Sequence, residues 1–399
     1  MDNKTNHNLV VNQIFPENAL YFNKLDLDKF VHCFDNRVTC YKFYWLESIL
    51  NLLAENPERS DFSFDEISEE MIANAWYSIR EYHLHMGTQF TKVKRINAIE
   101  KAVNHIADKT GVENDASKKE ILYKFQEFKN NKQFIADKKR LMEEVPFHFL
   151  APFYPKKEMP KALRLLKTKE CISAFNTINE KTVLPYSFVG LDGLSVRIKI
   201  QEDWKELFID NIMPLKGWIQ FQKIQYLQNL NPEVPGIIYK LDPGKSRKRE
   251  LKNARNLWDS VIIRKPVIDI YSGRLIDANK YDLDHFIPWS YITNDELWNL
   301  IPADKSANTS KNNNLPAWDK YFGNFAEEQY GLYSMIFSDN KIYELFAKCW
   351  KDNLKSYWGG QELYTPNKNK EVFVNTLERH MKQHYDSAKR QGYCIWTLT

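Results

Sequence analysis

The run Asn231-Pro232-Glu233-Val234-Pro235-Gly236 constrains this chain more than any other feature. Proline has no N–H and clashes with the preceding helical turn, and glycine loosens the backbone. The helical spacing from Trp204 to Leu230 must therefore stop here. At 399 residues the chain also exceeds one small core. We expect two domains, residues 1–235 and 236–399.

The first region reads as mainly helical. Tyr44, Trp45, Ile49, Leu52 and Leu53 recur at helical spacing between Tyr41 and Leu53. Ser63 followed by Glu66 predicts a capping box ahead of a helix through Met71, Ala75 and Ile79. A charged helical stretch spans Lys118 to Glu144, and the proline- and aromatic-rich stretch from Val145 to Pro160 reads as an ordered connector. Val183–Val189 and Ser195–Ile200 read as two strands of a hairpin around Asp192-Gly193. The fold class is α+β and mostly helical.

Composition narrows the function classes. Hydrophobic residues at 43% and charged residues at 27% fit an ordinary globular chain. No apolar run approaches the ~20 residues that span a bilayer, so no membrane role is expected. Met1-Asp2-Asn3-Lys4 opens without a signal-peptide pattern, which points to the cytoplasm. Cys33, Cys40, Cys171, Cys349 and Cys394 are scattered with no C-x-x-C pair, so structural zinc is not expected.

A net charge of +4 does not by itself call for nucleic acid; its distribution matters more. Lys245, Arg247, Lys248, Arg249, Lys252 and Arg255 form the densest basic run. Leu251, Ala254, Trp258 and Val261 share that stretch at helical spacing, which predicts an amphipathic helix. Its basic face is either simply solvated or contacts phosphates.

The chemistry concentrates further on. Tyr281 to Ser290 brackets an Asp284-His285 pair with apolar residues, as a short strand presenting both to a site would. A looser stretch runs from Tyr291 to Glu296. A second strand begins near Asn299, and Ser306 to Asn314 reads as a short helix holding Asn308 and Lys311.

Asp-x-Asp-His-x-x-Pro from Asp282, Asn-Leu-x-Pro from Asn299 and Lys-Ser-x-Asn-x-x-Lys from Lys305 together resemble the HNH family of His-Me finger (ββα-metal) endonucleases. They are similar to its zinc-free branch, which includes the HNH domain of RNA-guided CRISPR nucleases, and to standalone bacterial HNH proteins. The resemblance implies a ββα-metal core within 267–320, flanked by helices. It implies His285 as general base, suited by an imidazole pKa near neutrality. It implies Asp284 and Asn308 as ligands of Mg²⁺ or Mn²⁺, Asn299 as support for the base or its loop, and Lys311 as a phosphate contact. Asp282 shares the strand face of Asp284 and is an auxiliary acid or a structural one. Where many relatives carry a second zinc-binding Cys pair, this chain has Asp304-Lys305-Ser306-Ala307.

The resemblance implies phosphodiester hydrolysis, with DNA as the expected substrate and a role in restriction or anti-phage defence. RNA cleavage, or an idle HNH fold in a nucleic-acid-binding subunit, are the alternatives. Residues 1–235 are expected to bind a protein partner or oligomerise and so control the nuclease. Three other patterns carry less. Gly244-Lys245-Ser246 lacks the upstream glycine of a P-loop, because Tyr239 stands there. His380 and His384 lack the glutamate of a zincin, and His83 and His85 suggest no role.

Overall fold

The computed structural model describes residues 24–35, 39–87, 97–154, 168–241, 249–278 and 280–398. The chain forms two compact units, one ending at Asn231 and one starting at Pro232, with Leu241 grouped with the first. Local bonds explain why the division falls ahead of both prolines. Asn231 exchanges two hydrogen bonds with the backbone of His85 in the first unit. Two residues later, Glu233 O accepts from Tyr291 Oη and its carboxylate from Arg390, both in the second unit.

The first unit is a helical assembly around one small sheet. Its helices are α1 (Leu27–Val31), α2 (Tyr41–Glu55), α3 (Phe64–Arg80), α4 (Ala98–Thr110), α5 (Lys118–Glu127), α6 (Lys132–Met142), α7 (Val145–Phe149), α8 (Thr168–Asn179), α9 (Glu202–Asp210) and α10 (Ile212–Leu230). Ser63 and Glu66 close the expected capping box at the start of α3. The stretch 118–144 divides into α5 and α6 because Asn131 accepts from the N–H groups of Gln133 and Phe134 and so starts a new helix. The stretch from Trp204 divides at Asn211, whose side chain caps Leu207 O. The hairpin forms as β2 (Tyr186–Val189) and β3 (Arg197–Ile200), antiparallel in register Phe188↔Ile198. A third strand, β1 (Asp61–Ser63), adds to the other side of β3. At three residues it is too short to show alternation in sequence.

The second unit carries the motif. After α11 (Lys252–Arg264) come β4 (Tyr281–His285), α12 (Trp289–Ile292), β5 (Leu300–Asp304), α13 (Lys305–Lys311), β6 (Leu315–Pro316), α14 (Trp318–Ser338), α15 (Asn340–Asn353), α16 (Lys370–Arg390) and β7 (Ile395–Trp396). β4 and β5 pair antiparallel with Asp284 opposite Ile301 and His285 opposite Leu300. Aromatic packing holds this finger: Phe286 meets Phe325 at 4.5 Å and lies edge-on to Trp318 and Phe322. Asp304 caps α13 through the N–H groups of Ser306 and Ala307. The chain end folds back, with β7 pairing parallel to β6. Among the described residues no helix is long and apolar enough to cross a membrane.

Candidate active site

Strand β4, the turn Leu297–Asn299 ahead of strand β5, and helix α13 carry the expected residues. Alternation along β4 puts Asp282 and Asp284 on one face. Asp284 is buried, and both of its oxygens are engaged. Oδ1 accepts from the Lys311 ammonium at 2.9 Å, and Oδ2 accepts from the Tyr271 hydroxyl at 2.5 Å. Lys311 also donates to His285 O at 2.8 Å and is only 1% exposed. The expectation that Lys311 contacts phosphate is therefore corrected: helical spacing placed it one turn from Asn308, but the side chain turns inward to compensate Asp284.

Tyr271 is positioned by the turn that precedes β4. Asp269 accepts from the N–H of Ser272, and Gly273 closes the turn at φ +72°, a conformation that favours glycine. Tyr321 and Trp396 pack edge-on against the Tyr271 ring at 5.2 and 5.1 Å. The C-terminal strand thus supports the phenol that holds Asp284. Burial, then the Asp284 charge, drives the Tyr271 pKa well above the ordinary tyrosine value, so the phenol remains a donor.

His285 is 4% exposed. Its Nε2 lies 2.9 Å from Asp295 Oδ1, and its Nδ1 lies 3.4 Å from Arg249 Nη1. Burial lowers the imidazole pKa below its ordinary value, and the Asp295 bond opposes this without reversing it. Burial pushes the Asp295 carboxyl up, but its bonds to His285 and to the Glu250 N–H outweigh that, and it sits below its usual range.

Asn299 is fully buried and clamps the loop after His285. Its amide nitrogen donates to Ile287 O at 2.8 Å and its oxygen accepts from Ile287 N at 2.8 Å. Asn308 sits on α13 with its amide nitrogen 3.4 Å from Asp282 Oδ2. Asp282 thus links β4 to the helix.

The basic run is only partly gathered here. Lys245, Arg247 and Lys248 lie outside the described residues, as does the Gly244-Lys245-Ser246 pattern. The helix expected to carry the run starts only at Lys252, with Ala254, Leu257, Trp258 and Val261 on its buried face. Arg249 precedes it, exposed, with its guanidinium 4.5 Å over the Trp289 ring and against His285. Lys252 is exposed, and Arg255 lies 5.0 Å over the Tyr281 ring. His380 bonds Glu362 and stacks on Trp358, while His384 stacks on Trp298, so each ring has a packing role.

Two residues at the site carry no motif in the sequence. Tyr271 reads as one more aromatic in an aromatic-rich chain, and Asp295 sits in the looser stretch from Tyr291 to Glu296.

The donor chemistry available to a cation is hard oxygen: Asp282, Asp284 and the Asn308 amide. Among the described residues no group of three His, Cys, Asp or Glu side chains gathers as a metal site. The oxygen set fits Mg²⁺ or Mn²⁺ in kind, on the condition that Lys311 yields Asp284 Oδ1.

Residues 269–317 match the family model for HNH endonucleases. The match runs from Asp269 through Ala317 and so takes in Tyr271, β4, Asp295, Asn299, β5 and α13. No curated protein and no solved structure matches the chain.

Proposed function

We propose that this HNH-family protein is a metal-dependent endonuclease that hydrolyses phosphodiester bonds in DNA. The observation that carries the reading is His285, presented by β4 inside the matched segment with its two ring nitrogens facing Asp295 and Arg249. The depressed imidazole pKa leaves His285 uncharged near neutral pH, the form that accepts a proton from an attacking water. Arg249 is exposed beside that ring and supplies positive charge where a phosphate would approach. Asn299 holds the loop behind the base through both backbone groups of Ile287. Asp284 and Asn308 would hold the cation, with Asp282 beside them. A divalent cation bound there would stabilise negative charge developing on the phosphate oxygens. Lys311 holds Asp284 before the cation arrives and must move off it.

The separate helical unit is read as the element that controls the nuclease through a partner or through self-association. A place in restriction or anti-phage defence extends the same reading. A second reading draws on Lys311, because an aspartate already neutralised by an ammonium also fits an idle fold that only binds nucleic acid. Labelled duplex DNA and labelled RNA, incubated with the full chain and Mg²⁺ or Mn²⁺, separate these readings. DNA cleavage that stops in chelator supports the proposal. Cleavage of RNA alone moves the substrate, and binding without cleavage favours the idle fold.

A further inference from the structure

We propose that Asp295 is the positioning residue of this site, fixing His285 as the tautomer protonated at Nε2 and leaving Nδ1 to take the proton. The role rests on the reading of His285 as the base; the tautomer does not.

Donors and acceptors around the ring fix which nitrogen is protonated. Asp295 Oδ1 lies 2.9 Å from Nε2, and its Oδ2 accepts the Glu250 N–H at 2.6 Å. An ionised carboxylate only accepts, so Nε2 must be the nitrogen that carries the proton. Arg249 faces the other nitrogen at 3.4 Å, and a guanidinium only donates. Both neighbours therefore select the same tautomer. Asn353 fixes the arrangement from behind, donating to Glu250 O at 3.0 Å and to Asp295 O at 2.7 Å. Asp295 is 6% exposed and His285 4%, so bulk water does not compete for the bond. The same carboxylate ties the backbone next to Arg249 to the base, which keeps the phosphate-facing charge and the proton acceptor in fixed relation.

Asp295→Asn tests this with almost no change of shape. The Glu250 N–H still needs an acceptor, so the amide oxygen turns to it and the NH₂ faces Nε2. Nε2 must then accept, and the ring proton moves to Nδ1, with the exposed Arg249 side chain turning off that nitrogen. A base locked in the wrong tautomer loses roughly two to four orders of magnitude in turnover.

The experiment uses the full chain labelled with ¹⁵N-histidine, the His285 signals being assigned by their loss in His285→Ala. The expected parent spectrum shows Nε2 protonated and Nδ1 not; Asp295→Asn reverses this, and Asp295→Glu retains the parent pattern. In plasmid nicking, Asp295→Asn is expected to lower kcat at least about a hundredfold with KM nearly unchanged. A parent protonated at Nδ1 overturns the proposal whatever the variants do. So does an Asp295→Asn protein with the parent tautomer, or with the parent kcat. If the parent itself nicks nothing, the base reading fails, while the nitrogen shifts still decide the tautomer.

Discussion

The Lys311 ammonium lies 2.9 Å from Asp284 Oδ1, and both side chains are buried. Removing one member of such a pair strands a charge in a low-dielectric site. Lys311→Met is therefore expected to lose about 3–5 kcal/mol of stability, measured by urea denaturation. Millimolar Mg²⁺ should recover part of that loss in the variant and add less to the parent, where the cation must first displace Lys311 from Asp284. Equal Mg²⁺ effects on both proteins would contradict this account of Lys311.

The His285 pKa gives a pH prediction. Burial depresses the folded value below the unfolded value of about 6.5. Between the two values the unfolded chain holds a proton that the folded chain does not, so stability rises with pH across that window. The contribution is complete above about pH 6.5 and is lost as pH falls toward the folded value. His285→Gln should flatten the slope of unfolding free energy just below about pH 6.5 relative to the parent. An unchanged slope would remove His285 as its source.

Asn299 satisfies both backbone groups of Ile287 in a fully buried position. Asn299→Ala leaves an N–H and a C=O without partners, which costs about 3 kcal/mol. The loop after His285 should also gain amide exchange at Ile287. A variant as stable as the parent would show that the loop is held by other contacts.

Arg249 is exposed, so its contribution should lie in binding rather than folding. Arg249→Ala is expected to leave stability within about 0.5 kcal/mol. It should weaken DNA binding and reduce the slope of log affinity against log salt by about one. An unchanged salt slope would place the phosphate contact elsewhere.

How much of this was legible in sequence follows from the range of each interaction. Strand β4, strand β5 and helix α13 announce themselves because Asp284, His285, Asn299 and Asn308 sit at fixed local spacing between apolar residues. The capping box at Ser63 and Glu66 is legible for the same reason. The partner of His285 was not, because Asp295 reaches it by folding of the connection between strands, and a lone acid in a connection carries no period. Lys311 is legible as a helix residue, but its direction is not. Its spacing gives the helix and the turn, while the choice between solvent and the buried Asp284 is made by tertiary charge compensation. Tyr271 shows the same limit, since its support comes from Trp396 at the far end of the chain. The spacing predicts a helix through the basic run, but that helix begins only at Lys252, with Arg249 outside it.

Nicking of supercoiled plasmid by the full chain with Mg²⁺, compared with His285→Ala under the same conditions, decides whether His285 is the base of a nuclease. The parent is expected to convert plasmid to the nicked form, and His285→Ala to be slower by at least about a hundredfold. Equal nicking by both proteins would contradict it.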